Sequence, residues 1–162
     1  MGAGMVDKKQ VCCFSGHRII PKEILPQLKA AVENAVIGLI ERGVIFFGAG
    51  GALGFDMLAE ETVLKLKEEY PHIRLILVLP CQPEQQTLKW NVEQRRRYYD
   101  ILEKADKVRV LSPQYTSGCM LARDRHLVNN SAYLVCYLRE RYGGTAYTVD
   151  YAKRKGLQII RL

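Results

Sequence analysis

Short apolar runs alternate along the chain with longer segments in which apolar residues recur at helical spacing. Six runs have the length and composition of β-strands, at residues 10–14, 44–47, 73–79, 107–111, 132–138 and 157–161. Five segments between them have helical periodicity, at residues 21–42, 53–70, 91–105, 119–130 and 145–155. The run 44–47 is apolar throughout, as expected for a strand that is covered on both faces.

This alternation of strands and helices, with short connections, predicts the fold class. We expect an α/β, Rossmann-like three-layer sandwich with a mostly parallel sheet of about five to six strands. The length of 162 residues suits one domain, so a single nucleotide-binding domain is expected over residues 1–162. Ligands of such sheets bind at the carboxyl ends of the strands, near the point where strand order reverses. The loops that follow strands are therefore the candidate site.

The composition predicts a soluble protein with a basic surface. The chain is 48% hydrophobic and 25% charged, and no run approaches the roughly 18 apolar residues of a membrane helix. No secretory signal is recognisable, so a cytoplasmic location without membrane contact is expected. Five cysteines without a CxxC pair predict buried, reduced thiols, and no metal or required cofactor is expected. The formal charge of +7 favours an anionic partner, either a small phosphorylated ligand or nucleic acid.

The first predicted strand is followed by Ser15, Gly16, His17 and Arg18. Glycine lets a backbone approach a phosphate closely, and Arg18 can bind phosphate oxygens in bidentate fashion. His17 is either a general base or, more simply, a hydrogen-bonding residue. The alternative for the whole segment is an ordinary turn with exposed charges.

The second strand is followed by a loop with four glycines in residues 48–54. Its backbone N–H groups, together with the start of the next helix, are typical of an anion site. Asp56 either complements the helix dipole or contacts a ribose hydroxyl or a loop amide. The expected ligand contacts of this loop are Gly50, Gly51, Ala52, Gly54 and Asp56.

The fifth strand is followed by Gly143, Gly144 and Thr145, with Thr148 one turn later. This is a second candidate anion site at a helix start, although Thr145 is also a natural helix cap. We expect all four residues to contact the ligand.

Arginines and one tryptophan complete the candidate set. Arg123 and Arg125 point to different sides of a helix, so at most one faces the cleft, and Arg123 is the candidate. The three arginines 95–97 cannot all face one way, and one of them is a candidate for reaching the ligand. Trp90 is expected to pack in the core or at the sheet edge rather than to cover a base.

Together these loops resemble the SLOG superfamily. The stretch from Gly50 to Asp56, followed by Ala59, is similar to the S-G-G-A-x-G-I-D…A motif of the Smf/DNA-processing protein A family. Residues 143–148 resemble that family's S-G-S-x-x-T, and the S-G-H-R start looks most like the YpsA-like branch. The related lonely-guy (lysine-decarboxylase-like) phosphoribohydrolases carry P-G-G-x-G-T-x-x-E with a catalytic glutamate. In this chain Thr148 occupies the position of that glutamate, so the resemblance does not imply the hydrolysis that those enzymes catalyse.

The loops and the resemblance imply three functions. The first is binding or sensing of a nucleotide or nucleotide-derived ligand, such as an ADP-ribose relative, with Gly51, Gly54, Gly144 and Thr145 on its phosphates. The second is a nucleoside-phosphate N-glycosidic hydrolase, whose acid–base candidates are Asp56, Asp124 and His17. The third is a single-stranded DNA-binding module that uses basic residues and tyrosines. A homodimer is expected by analogy.

Overall fold

The computed structural model describes residues 6–162, in which strands and helices alternate throughout. The strands are β1 (Val11–Gly16), β2 (Phe46–Ala49), β3 (Arg74–Leu79), β4 (Lys107–Val110), β5 (Tyr133–Tyr137) and β6 (Gln158–Arg161). The α-helices are α1 (Leu25–Glu41), α2 (Phe55–Lys67), α3 (Pro83–Gln86), α4 (Val92–Lys104), α5 (Cys119–Asn129) and α6 (Gly144–Arg154). A short 3-10 turn, Lys8–Gln10, precedes β1.

The six strands form one parallel sheet in the order β4-β3-β2-β1-β5-β6. The chain moves outward from β1 to β4 and then crosses back to place β5 on the other side of β1. The connections that leave β1 and β5 therefore run in opposite directions, and strand order reverses between these two strands. The α/β, Rossmann-like fold predicted from the alternating pattern is confirmed.

Helices cover the sheet unequally. On one face α1 packs on α2, and α2 contacts β1, β2, β3 and α4. This layer encloses the larger apolar core, which includes Phe47, Phe55 and Leu75. On the other face α5 packs on α6 over a smaller core that includes Leu134 and Val149. All five cysteines are free and buried, as predicted.

The structure shifts several predicted boundaries. The prediction of 44–47 for the second strand was wrong by two residues, because Gly48 and Ala49 pair with Ile76 and Leu77 of β3. Their small side chains resemble a loop in sequence, whereas strand pairing depends on a distant partner. The first helix begins at Leu25 rather than at residue 21, after a turn in which the Ile24 amide bonds to the Pro21 carbonyl. No helix within residues 6–162 is long and apolar enough to cross a membrane.

Candidate functional site

A cleft of about 370 Å³ lies at the carboxyl ends of β1, β2 and β5, where strand order reverses. Five segments meet there: the end of β1 with the loop that follows, the loop after β2 with the start of α2, the end of α3, the first turns of α5, and the loop between β5 and α6 with the start of α6. The residues that line it are Ser15, Gly16, His17, Arg18, Ala52, Asp56, Gln86, Met120, Leu121, Arg123, Asp124, Glu140, Tyr142, Gly143, Gly144 and Thr145. Ten of the fourteen candidate ligand contacts are among them, while Gly50, Gly51, Gly54 and Thr148 lie behind this lining.

His17 ties the loop after β1 to the loop after β5. Its Nε2 accepts hydrogen bonds from the backbone amides of Arg139, at 2.8 Å, and Glu140, at 3.3 Å. The imidazole also packs edge-on against Tyr137, with ring centroids 5.5 Å apart. Because Nε2 is already an acceptor, the hydrogen-bonding interpretation of His17 is favoured over the general base.

Arg18 is exposed and lines the cleft. Among residues 6–162, no carboxylate lies within ion-pair distance of its guanidinium. A guanidinium at the mouth of a cleft, without an internal partner, is available to an anion from solution.

Several amides of the glycine-rich loop after β2 and of the start of α2 are bonded within the protein. The Gly51 amide donates to Glu60 Oε2 at 2.9 Å, and the Ala52 amide donates to Asp56 Oδ2 at 3.3 Å. The Phe55 amide, at the start of α2, donates to the His17 carbonyl at 3.0 Å. The Gly51 amide, which the sequence assigned to a phosphate, therefore donates to a carboxylate of the protein itself.

The glycines of this loop are also required by packing. A Cβ on Gly54 would stand 2.2 Å from the Arg18 carbonyl oxygen, and Gly54 has φ of +79°. A Cβ on Gly50 would stand 2.5 Å from Arg123 Cδ. Around Gly143 and Gly144, by contrast, no heavy atom of the described chain lies within 4 Å of an added Cβ. Space next to the backbone is therefore open in the loop after β5 and filled in the loop after β2.

Arg123 lies beneath the cleft with only 5% of its surface exposed. Its Nη1 donates to the Gly50 carbonyl at 2.5 Å, and its Nε donates to Asp124 Oδ1 at 2.6 Å. Asp56 and Glu60 are buried beside it and raise its pKa together with Asp124, although burial alone would lower it. The single buried guanidinium therefore faces three carboxylates.

Burial perturbs the carboxylates of this cluster. It raises the pKa of Asp56 to about 6, even though the Arg123 guanidinium favours the charged form. Burial and the neighbouring Asp56 raise the pKa of Glu60 well above its ordinary value. Within residues 6–162 no group of three or more His, Cys, Asp or Glu side chains is arranged to hold a metal ion. Because the pKa of Asp56 is raised to about 6, the cluster can hold a proton near neutral pH.

Sequence reasoning missed two polar residues, Gln86 in the lining of the cleft and Glu60 next to it. Gln86 donates from Nε2 to the Gly51 carbonyl at 3.1 Å and accepts from the Tyr98 hydroxyl, also at 3.1 Å. Glu60 was missed as well, although its spacing of four residues from Asp56 places both on one face of a helix. That spacing was the available signal. Gln86 had none, because it lies in a polar segment and is positioned by the short helix α3.

The helix α6 begins at the cleft. Gly143, with φ of +95°, is the residue before its first turn. The alternative role of Thr145 as a helix cap is excluded: no side chain caps this helix, and Thr145 is its buried second residue. The Thr148 hydroxyl lies 2.8 Å from the Gly144 carbonyl and 3.1 Å from Asp124 Oδ2.

The first-turn amides of α6 are available to a ligand. Among the described residues, the amides of Gly144, Thr145 and Ala146 have no hydrogen-bond acceptor, whereas the Tyr147 amide bonds to the Gly143 carbonyl. Unbonded amides at a helix start, near open space, are the features that a phosphate group requires.

The remaining arginine candidates lie away from the cleft. Arg96 Nη2 pairs with Glu93 Oε1 at 2.6 Å, and Arg97 Nη2 pairs with Glu61 Oε1 at 2.5 Å. None of the arginines 95–97 lines the cleft, and a contact of one of them with the ligand stays a prediction. Trp90 is 8% exposed and packs against Tyr98, which confirms its predicted place in the core.

Comparison with known proteins identifies the family to which the chain is similar. A family model described as the YspA SLOG family matches residues 21–159. A UPF0398 protein of Halalkalibacterium halodurans is 35% identical over 134 residues, which are 81% of this chain and 70% of that protein. The family match includes every cleft segment except the end of β1 and the loop that follows it, which precede the match.

Two solved structures share the fold. DNA processing protein A from Helicobacter pylori, described by its single-stranded DNA binding mode, has a TM-score of 0.65 and 18% identity. DNA processing protein A from Streptococcus pneumoniae has a TM-score of 0.66 and 19% identity. The matches cover 95% and 93% of this chain but only 65% and 49% of those chains. The likeness is one of fold, and the chain spans about two thirds or less of these neighbours.

Proposed function

Because this chain belongs to the YspA SLOG family, we propose that it binds a nucleotide or nucleotide-derived phosphorylated ligand in the cleft at the strand ends. Membership confirms the SLOG resemblance drawn from the loop motifs. The observation that carries the proposal is the start of α6, where unbonded amides and open space beside Gly144 line the same cleft as Arg18. A helix N-terminus and an unpaired guanidinium both favour a phosphate.

The phosphate belongs at α6 rather than at the glycine-rich loop after β2. In that loop the Gly51 and Ala52 amides already bond to carboxylates, and a phosphate there would meet the negative charge of Asp56. The open space beside Gly144 admits a phosphate oxygen close to the backbone. This assignment changes the expected roles of Gly51 and Gly54 from phosphate contacts to supports of the cleft.

The carboxylates of the cleft suit a sugar. Asp56 and Asp124 line it with carboxylate oxygens, which accept hydrogen bonds from hydroxyl groups. A neighbouring cavity of about 620 Å³ shares Arg18, Gln86 and Met120 with the cleft. The combined space suits a ligand longer than a mononucleotide, and an ADP-ribose relative has that length.

The oligomeric state is a separate question, and a homodimer stays a prediction.

We expect a nucleotide panel to raise the melting temperature of the wild-type protein. A ligand at about 100 times its Kd adds about 2.7 kcal/mol to the free energy of unfolding. Gly144→Ala places a methyl group where the phosphate is proposed, and Arg18→Ala removes its counter-charge. Both variants should keep their melting temperature without ligand and lose most of the ligand-induced shift, as followed by thermal denaturation.

Two matched substitutions control this experiment. Gly38→Ala also adds a methyl group at a glycine with nothing within 4 Å, and Arg42→Ala also removes an exposed guanidinium. Both should retain the full ligand shift. A single-stranded oligonucleotide belongs in the panel, since the Helicobacter pylori neighbour is described as binding single-stranded DNA. If only the oligonucleotide raised the melting temperature, the ligand would be nucleic acid rather than a small nucleotide. If nothing in the panel raised it, the proposal would be rejected.

A second candidate function, N-glycosidic hydrolysis, is favoured by one observation. Asp56 faces the cleft with its pKa raised to about 6, close to the value at which a carboxyl group serves as general acid or base near neutral pH. If this function holds, incubation with nucleoside monophosphates releases free base, which chromatography detects. Asp56→Asn should lower that rate by about 100-fold or more while the exposed Asp150→Asn leaves it unchanged. An absence of free base with the wild-type protein would remove this candidate.

A further inference from the structure

One part of the sheet lacks a covering helix. The crossovers from β1 through β4 run in one direction and place α1, α2 and α4 on the same face. On the opposite face α5 contacts β1 and β3, and α6 contacts β1, β5 and β6. The edge strand β4 and the neighbouring part of β2 and β3 are therefore left open on this face.

A groove of about 490 Å³ occupies that open part of the face. Its floor is apolar and mostly aliphatic, with side chains from three strands and α5: Val11, Phe46, Ile76, Val78 and Leu127. Phe46 and Ile76 are only half-buried, so part of the floor is exposed to solvent. Such partly exposed apolar surface is typical of a site that another element covers.

The rim of the groove is positively charged. Its ionisable side chains are all basic: Lys8, Lys107, Arg109 and His126. Within residues 6–162 none of these four has a carboxylate at ion-pair distance. Burial and the neighbouring Arg109 lower the pKa of His126, so at neutral pH the positive charge of the rim comes from Lys8, Lys107 and Arg109.

We propose that this groove docks an acidic amphipathic helix of a partner protein. The helix would lie beside α5, where a doubly wound sheet has another covering helix. Its apolar side chains would pack on Ile76 and Phe46, and flanking carboxylates would face Lys107 and Arg109. This is the helix-in-groove mode of recognition, here with charge complementarity at the rim.

Two other occupants fit less well. A second copy of this chain, related by a two-fold axis, would oppose the same basic rim to itself, in a protein whose formal charge is +7. Single-stranded nucleic acid binds by stacking successive bases on aromatic side chains, and among the residues that line the groove only Phe46 and His126 have aromatic rings. An aliphatic floor with a cationic rim selects an apolar and acidic peptide.

The test uses synthetic helical peptides of about 14 residues, roughly four turns. One peptide carries leucines on one face and glutamates on the flanks, a second has the same composition in scrambled order, and a third has lysines in place of the glutamates. Binding to the full chain is measured by fluorescence anisotropy. The first peptide should bind, and the scrambled and lysine peptides should bind about tenfold more weakly or not at all.

Charge reversal locates the binding. Lys107→Glu with Arg109→Glu should weaken the acidic peptide by about tenfold or more. The control, Lys22→Glu with Lys29→Glu, makes the same charge change at exposed positions before and within α1, on the opposite face, and should leave the affinity unchanged. Equal thermal stability of the two double variants shows that both remain folded.

Three outcomes would overturn the proposal. An equal loss of peptide affinity in both double variants would show that binding depends on net charge and not on the groove. Binding of a thymidine oligonucleotide that only the groove variant loses, without binding of the peptide, would make the groove a nucleic-acid surface. A dimer in sedimentation that only the groove variant dissociates would make it a contact between two copies.

Discussion

Arg123→Met should lower the free energy of unfolding by about 3–5 kcal/mol at pH 8, the cost of leaving buried charges without their partner. Methionine fills much of the volume of the arginine stem, so the loss reports charge more than packing. Asp56, Glu60 and Asp124 would then share one site without a cation, and the Gly50 carbonyl would lose its donor. Urea denaturation followed by circular dichroism measures the change.

The deficit of Arg123→Met should narrow as the pH falls. A carboxyl group whose pKa is raised in the folded state weakens folding as pH rises from the unfolded value through the folded one. For Asp56 that window runs from about 4 to about 6 in the wild-type protein, and loss of the guanidinium moves its upper limit higher. Unfolding measured at pH 8 and pH 5 should therefore show a smaller difference between variant and wild type at pH 5.

Arg125→Met controls for the removal of an arginine from the same helix. Arg125 is half-buried and donates to the Tyr147 hydroxyl at 3.2 Å, so its loss should cost about 1 kcal/mol and show no such pH dependence. If the deficit of Arg123→Met were the same at both pH values, the charge cluster would not be its cause.

Gly54→Ala should destabilise the protein by about 3 kcal/mol or more, although it adds one methyl group. The new Cβ would stand 2.2 Å from the backbone oxygen of Arg18, and Gly54 has φ of +79°. Backbone atoms cannot move aside as the end of a side chain does. The loop after β1 would therefore shift away from α2 and lose the bond between the Phe55 amide and the His17 carbonyl.

Gly143→Ala is the control that separates the two causes of the expected loss in Gly54→Ala, which are backbone strain and steric contact of the new Cβ. Gly143 has φ of +95° and ψ of −177°, but no atom of another part of the chain lies within 4 Å of its added Cβ, so only backbone strain of about 1–3 kcal/mol is expected. Chemical denaturation of both variants measures the difference. Equal losses would show that the contact with Arg18 relaxes without cost.

The order of the elements was predictable because each one buries a face of its own period. The runs that became β3 and β5 are apolar and short, and the segment that became α5 has helical spacing. The position of the cleft followed from topology, since parallel strands end at one edge of the sheet. Ten candidate residues reach the lining for this reason.

The internal hydrogen bonds of the cleft were not predictable. Glycine-rich loops before helices have the same sequence pattern whether their amides meet a ligand or a carboxylate of the next helix. Here Glu60, one turn after Asp56, meets the Gly51 amide, and only the orientation of α2 decides this. Similarly, Thr145 has the sequence of a cap, but the preceding Gly143 takes the cap position with a conformation that glycine adopts readily.

The hydrogen bonds of His17 to the amides of Arg139 and Glu140 have a kinetic consequence. They hold the loops after β1 and β5 in register before any ligand arrives, so the backbone of the cleft is preorganised. Little ordering entropy is then lost on association, and encounter should be fast for every ligand that fits. Ligands that differ in affinity should therefore differ mainly in residence time, and selectivity should be a property of the dissociation rate.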